Sequence, residues 1–370
     1  MRVRCLHCRE LLQLLEESDL SNISCTSCGA SFSLIDEPAA TLPDNGTRTL
    51  GRFELIEQVG AGGFGSVWKA RDLELQRTVA VKIPRHGQLS QSEMERFLRE
   101  ARAAAQLRHP HIVGVHEVGR EGETIYIVSD FVQGATLDQW LPRHPPTPRD
   151  AALLCAKIAD ALEHAHRAGV IHRDLKPGNI MLDVDGEPHL MDFGLARRQV
   201  GDTTMTVEGR VMGTPAYMSP EQARGEAHRA DCRTDIYSLG VVLFRLLTRE
   251  LPFRGNAQML IMQILRDEPP SPRKLDSRVT RDLETITLKC LEKNPDHRYR
   301  SAAKLAAELR RFARGEPINA RPYFAYLQIP LRAALSASGC SPPSQSRLVI
   351  PDDRPTDRGR GILPERCKAP

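Results

Sequence analysis

An α+β fold is what this sequence predicts, with strands gathered ahead of helices, and three observations carry the expectation. Between Phe53 and Ile83 apolar and polar residues alternate with the period of two that marks half-buried strands. From Thr147 onward apolar residues recur every three or four positions, as on amphipathic helices. Ahead of both lie two Cys-x-x-Cys pairs, which mark a small module of their own.

Composition narrows the classes of function. A hydrophobic fraction of 41% is ordinary for a soluble globular chain. A formal charge of +4 over 370 residues is too small to imply a nucleic-acid partner. The most apolar run, Leu239 to Leu247, contains Arg245 and is far shorter than a membrane span. No apolar signal-peptide core follows the basic residues at the N-terminus. The expectation is a soluble, cytoplasmic protein without a membrane partner.

Cys5 and Cys8 are separated by sixteen residues from Cys25 and Cys28. Four thiolates so spaced satisfy tetrahedral zinc, and Gly29 suits the turn that such a knuckle needs. Residues 1–35 are therefore expected to form a zinc-ribbon-like module with a structural Zn²⁺. A redox pair is the plainer alternative. Residues 36–52, with Asp36, Pro38, Pro43, Asp44, Asn45 and Gly46, have linker composition.

The strands follow. Phe53 to Val59 leads into the glycine loop Gly60-Ala61-Gly62-Gly63-Phe64-Gly65, and a second strand resumes at Ser66 and Val67. The glycines thus sit at a hairpin tip, whereas a dinucleotide-binding loop opens a helix. Thr78 to Ile83 is a third strand that puts Ala80 and Lys82 on one face. Ser92 to Glu95 reads as a capping box. The helix after it carries Phe97, Ala101, Ala104 and Leu107 as a buried stripe, with Glu100 at its border. A carboxylate there wants a partner. Thr124 to Val128 is a further strand, and Thr147-Pro148 caps a helix that stops at Gly169. Its core residues are expected at Leu154, Ile158, Ala161, Leu162 and Ala165, and no ligand role is assigned to His164 or His166.

Chemistry concentrates in His172-Arg173-Asp174-Leu175-Lys176-Pro177-Gly178-Asn179. A carboxylate to orient and deprotonate a hydroxyl, an ammonium and an amide oxygen within one loop are what phosphoryl transfer requires. Thirteen residues on, Asp192-Phe193-Gly194 brings a second carboxylate, returned by a hairpin around Asp183 to Gly186.

These pieces in this order resemble the protein-kinase family, most nearly the bacterial serine/threonine kinases of eukaryotic type. Lys176 two residues past Asp174, with Gly213-Thr214-Pro215, is similar to the serine/threonine kind. The resemblance runs from Phe53 to Phe312 and implies a two-lobed fold, mostly β and then mostly α. The implied domain is 53–315, with an N-lobe at 53–128, a hinge at 129–133 and a C-lobe at 134–315. Residues 316–370, rich in Ser, Pro, Arg and Asp, are expected to be a disordered tail.

The resemblance further implies ATP with Mg²⁺ or Mn²⁺ as cofactors and proteins as substrates. Val59, Val67 and Ala80 would flank the nucleotide, the glycine loop would cover its phosphates, and Lys82, paired with Glu100, would reach them. Ser129 would be a small gatekeeper, with Asp130 and Val132 offering backbone groups to adenine. Asp174 would be the general base, Lys176 the charge stabiliser, and Asn179 and Asp192 the magnesium ligands. Asp235 would prop the catalytic loop, and Glu221 would pair with Arg298 as a structural bridge. Thr203, Thr204 and Thr206 are candidates for autophosphorylation, Thr206 the favourite, with Arg173 as receiver. A homodimer acting in trans is compatible with this. Two rival readings are an ATP-binding scaffold without activity, and a ribbon that binds nucleic acid under control of an attached kinase.

Overall fold

The computed structural model describes residues 48–62, 65–84, 98–99, 101–122, 124–193, 215–226 and 230–321, and before them four short backbone strands. β1 (Arg2–Arg4) pairs with β2 (Leu11–Gln13), and β3 (Ile23–Ser24) with β4 (Ser31–Phe32), both antiparallel. Cys5 and Cys8 fall between the first pair in sequence, and Cys25 and Cys28 between the second. The four cysteines themselves lie outside the described residues, as do residues 36–47 of the expected linker and 322–370 of the expected tail.

The alternating stretch becomes a six-stranded antiparallel sheet, in the order β5-β6-β7-β8-β10-β9. Its strands are β5 (Thr49–Leu50), β6 (Phe53–Gly62), β7 (Gly65–Asp72), β8 (Arg77–Pro84), β9 (Val115–Glu121) and β10 (Thr124–Asp130). One face buries Phe53, Leu55, Ala70, Val79, Val81, Tyr126 and Val128, with Phe53 edge-on to Tyr126 at 5.8 Å. β5 lies inside the segment expected to be linker. Gly51, with φ +54°, closes the tight turn that folds Thr49 and Leu50 back onto β6, so the domain begins before Phe53. β10 likewise runs two residues into the expected hinge, which shortens to residues 131–133.

Residues 98–99 and 101–104 are helical and bury Ala101 and Ala104, with Leu107 buried just beyond. Ser92 to Glu95, Phe97 and Glu100 lie outside the described residues. The loop after this helix grips the helical lobe. Val113 donates its N–H to the Leu190 carbonyl, and Leu190 donates to that of His111, each at 2.9 Å.

The remainder is helical around a second small sheet of β11 (Gly134–Thr136), β12 (Ile180–Asp183) and β13 (Pro188–Leu190). α1 (Leu137–Trp140) is followed by α2 (Pro148–Arg167), where Thr147 accepts the Asp150 N–H and proline occupies the first turn. Ile158, Ala161, Leu162 and Ala165 are fully buried as expected, while Leu154 is half-buried at the rim. α3 (Pro220–Ala223) and α4 (Cys232–Thr248) come next, the latter capped by Asp231 and buried on nearly every side. α5 (Ala257–Arg266), α6 (Pro272–Leu275) and α7 (Arg281–Cys290) follow. A Cβ on Gly240 of α4 would lie 2.5 Å from that of Cys290, so only glycine permits α4 and α7 to approach this closely.

α8 (Ala302–Ala313) packs on α2, tied by Arg310 to Asp160. The expected boundary at 315 falls short. The buried Glu308 carboxylate accepts the Asn319 N–H at 2.7 Å and the Ala320 N–H at 2.8 Å, and Ala320 joins the core. Composition at 316–321 reads as tail because the anchor is one carboxylate on the preceding helix.

Imidazoles line the joint between sheet and helices. His109 lies 5.6 Å from His111 and 5.4 Å from His164, and His111 lies 6.3 Å from His189, centroid to centroid. Burial lowers the pKa of His109, the charges of His111 and His164 add to this, and Asp160 opposes it. Burial also lowers that of His111, against its bond to the Pro188 carbonyl and Glu187 and with help from Lys157 and His189. The unfolded chain therefore binds more protons below about pH 6.5. Stability is full above that value and falls as pH drops through the lowered folded values. The melting temperature is expected to fall between pH 7.5 and 5.5, and less so in His109→Gln. An equal fall in both proteins would exclude His109 as a cause.

Candidate active site

Asp235, fully buried in the first turn of α4, organises the loop before the second sheet. One carboxylate oxygen accepts the Arg173 N–H at 2.8 Å, and the other accepts the His172 N–H at 2.9 Å and the His166 Nε2–H at 2.7 Å. Burial alone would raise its pKa, but His166, the neighbouring His172 and the Arg173 amide hold it below the ordinary carboxylate value. His166, given no role from the sequence, is thus the side chain that charges and orients Asp235. The signal for it was weak, since a helix histidine three residues before a glycine stop also reads as solvated.

The loop is held in a conformation it would not adopt unaided. Arg173 has φ +66°, costly for a long side chain, and Gln222 of α3 donates to its carbonyl at 2.7 Å. His172 donates Nε2–H to the Met191 carbonyl at 2.9 Å and lies against Phe193. These contacts place residues 191–193 beside the loop.

Asp174 Oδ2 accepts Lys176 Nζ at 2.7 Å and Asn179 Nδ2 at 3.1 Å, and Asn179 Nδ2 also donates to the Asp174 carbonyl at 2.8 Å. The amide NH₂ of Asn179 is therefore spent within the loop, and its oxygen is the group left to meet a cation. Asp192, with φ +60°, accepts Lys82 Nζ at 2.6 Å. Burial would raise the Asp192 pKa, but Lys82, His172 and Lys176 together hold it below the usual range. The structure thus gathers Lys82, Asp174, Lys176, Asn179 and Asp192, from β8, the loop and the end of the small sheet. A carboxylate beside an ammonium, with hard oxygen donors adjacent, suits proton removal from a hydroxyl next to a multiply charged anion.

The glycine loop joins antiparallel strands as expected, Gly60 opposite Val67, Ala61 opposite Ser66 and Gly62 opposite Gly65. Gly63 and Phe64, at its tip, lie outside the described residues. Val59 is exposed beside a register shift, and Val67 and Ala80 are half-buried. Ser129, half-buried, is paired with Ala80, and Val132 follows in the short hinge. Asp130 departs from expectation in one respect. Its N–H donates to the Gly114 carbonyl at 2.9 Å, so of its two backbone groups only the carbonyl is left to serve a nucleotide. Glu100, the expected partner of Lys82, lies outside the described residues, as do Thr203, Thr204 and Thr206. Glu221 and Arg298 form the expected bridge, at 2.8 and 2.9 Å.

The family model for the protein kinase domain matches residues 53–309, more than half of the chain. The chain belongs to the protein kinase family. The kinase fold, a β-rich lobe followed by a helical one, is shared with the solved kinase domain of Mycobacterium tuberculosis PknI. That match is 25% identical with a TM-score of 0.57, over 71% of this chain and 97% of that one. The serine/threonine-protein kinase PrkC of Bacillus subtilis is 39% identical over 268 residues, 72% of this chain and 41% of PrkC. PknB of Mycobacterium tuberculosis is 40% identical over 320 residues, 84% of this chain and 51% of PknB. The kinase chain spans about half the length of these curated relatives, or less.

Proposed function

We propose that this chain transfers the γ-phosphoryl group of ATP to serine and threonine hydroxyls of proteins. The observation that carries the reading is the shared cluster of Asp174, Lys176 and Asn179, with Asp192 and Lys82 directly paired beside it. The donor set fits a nucleotide with magnesium, since the Asn179 oxygen and the Asp192 carboxylate are hard ligands of the kind that ion takes. Magnesium bound with ATP supplies charge neutralisation on the phosphates. Within the protein, Asp174 orients the incoming hydroxyl and takes its proton. Lys176 balances charge beside it, and Lys82 meets the phosphates, with Glu100 as its partner in the assembled site. Val59, the glycine loop, Val67, Ala80, the Asp130 carbonyl and Val132 hold the nucleotide.

Two further assignments extend the reading. Cys5, Cys8, Cys25 and Cys28 bind a structural zinc ion, supported by their spacing and by the two strand pairs that flank them. Phosphorylation of Thr203, Thr204 or, by preference, Thr206 activates the chain, with Arg173 receiving the phosphate and a second copy acting in trans. Among the described residues no helix is long and apolar enough to cross a membrane, and we assign the cytoplasm as the site of action.

Purified protein incubated with Mg-ATP is expected to gain phosphate on one of these threonines and, separately, to transfer the γ-phosphoryl of ATP to a general protein substrate. Bound ATP without transfer to either would sink the enzymatic reading in favour of a scaffold. Metal analysis of the same preparation is expected to return one zinc per chain, and none in Cys25→Ser.

A further inference from the structure

We propose that His116 and Gly114 are positioning residues for nucleotide binding, acting through the side chain of Asp130. The inference rests on the reading of the Asp130 carbonyl and Val132 as backbone contacts of the nucleotide. It adds two residues outside that site which fix where the contacts stand.

β10 follows β9 in register from Thr124 opposite Glu121 to Val128 opposite Glu117, and then slips, so that Ser129 faces Val115. His116 is left as the extra residue of a bulge at the point where β10 enters the hinge. A bulge interrupts the ladder, and the chain beyond it needs another hold. Here the hold is the Asp130 side chain. Asp130 donates its N–H to the Gly114 carbonyl at 2.9 Å, and Gly114 returns its N–H to Asp130 Oδ2 at 3.0 Å. The carboxylate thereby accepts the bond that a continuing strand would direct to the main-chain carbonyl. The Asp130 carbonyl is not consumed in that exchange.

The second oxygen, Oδ1, lies 2.7 Å from His116 Nε2. An ionised carboxylate only accepts, so Nε2 carries the proton and donates it. The Arg77 guanidinium stands 3.4 Å from the same nitrogen and places further positive charge beside the pair. Gly114 is a steric condition for the whole arrangement. A Cβ there would come within 2.6 Å of Asp130 Oδ2, so any larger residue pushes the carboxylate off the amide. Bulged histidine, glycine and aspartate thus form a latch that sets the hinge against β9.

The latch lies on the sheet, while the loop that carries Asp174, Lys176 and Asn179 is anchored by Asp235 from α4 through His172 and Arg173. Its loss should therefore weaken nucleotide binding and leave the transfer step alone. The test is the dissociation constant of Mg-ATP, by calorimetry on the full chain, for wild type, His116→Ala, His116→Gln and Gly114→Ala. Melting temperatures and steady-state constants are measured alongside. Losing one charge-assisted hydrogen bond predicts roughly five- to tenfold weaker binding in His116→Ala and Gly114→Ala. KM for ATP should rise to match, with kcat unchanged. His116→Gln restores an N–H near the position of Nε2 and should bind within about twofold of wild type. Wild-type affinity in both His116→Ala and Gly114→Ala overturns the proposal, as does a glutamine variant no better than alanine, or a fall in kcat at constant KM. Wild-type protein that binds no ATP overturns the functional reading itself, and this inference with it.

Discussion

Replacing Asp174 by alanine is expected to lower phosphoryl transfer by about 10²–10⁴-fold, the usual cost of losing a general base. The side chain has no structural duty that would confuse the measurement. Its carboxylate is about one-third exposed and among the described residues bonds Lys176 and Asn179 alone, whereas the loop backbone is fixed by Asp235 and Gln222. The melting temperature should therefore stay near wild type, and so should the affinity for Mg-ATP. Loss of transfer with retained binding is the expected pair of results. Asp174→Asn is the stricter comparison, because it keeps shape and removes the proton acceptor. A variant that retained more than a tenth of wild-type activity in either form would remove Asp174 from the chemistry.

Arg298→Ala is expected to be the most destabilising single change, at about 3–5 kcal/mol, because it leaves Glu221 buried without its counter-charge. The guanidinium is fully enclosed. It makes two parallel bonds to Glu221, donates to the carbonyls of Glu292, Arg233 and Lys293, and lies 5.0 Å from the Tyr237 ring centroid. Glu221 also accepts the Thr234 hydroxyl at 2.8 Å. Burial would raise the Glu221 pKa, yet Arg298 and Thr234 bring it down to about 2. The folded value lies below the unfolded one, so this contribution is present above about pH 4.5 and is lost as pH falls toward 2. Urea unfolding should show a lower midpoint with an unchanged slope. The double variant Glu221→Gln with Arg298→Met should recover part of the loss, since it strands no charge. If Arg298→Ala cost under 1 kcal/mol, the bridge would not be holding α3 to α4.

Much of this site was legible in the sequence because it rests on residues whose chemistry is unusual at fixed spacing. Asp174, Asn179 and Asp192 are of that kind, whereas Asp235 and the Glu221–Arg298 bridge were expected only through the resemblance to protein kinases. What escaped were partners whose residue types are ordinary. His166 sits on a helix face where a solvated histidine is equally natural, and only the arrival of Asp235 from α4 makes it a partner. The Asp130 latch needs a strand slip between Val128 and Ser129, which no periodicity reveals. Both domain ends were drawn too tightly for a related reason. Thr49-Leu50 and residues 316–321 are held by a turn and by Glu308, not by a hydrophobic run of their own.

The threefold grip of Asp235 determines when the disorder of the catalytic loop is removed. Its bonds to His166, His172 and Arg173 form as α4 packs against α2, so the conformational entropy of residues 172–179 is surrendered during folding. In the proposed transfer that ordering would already be complete when a hydroxyl arrives, and the barrier would not include it. In the proposed reaction Asp235 would therefore act on the rate through the time at which order is established, by way of His166, His172 and Arg173.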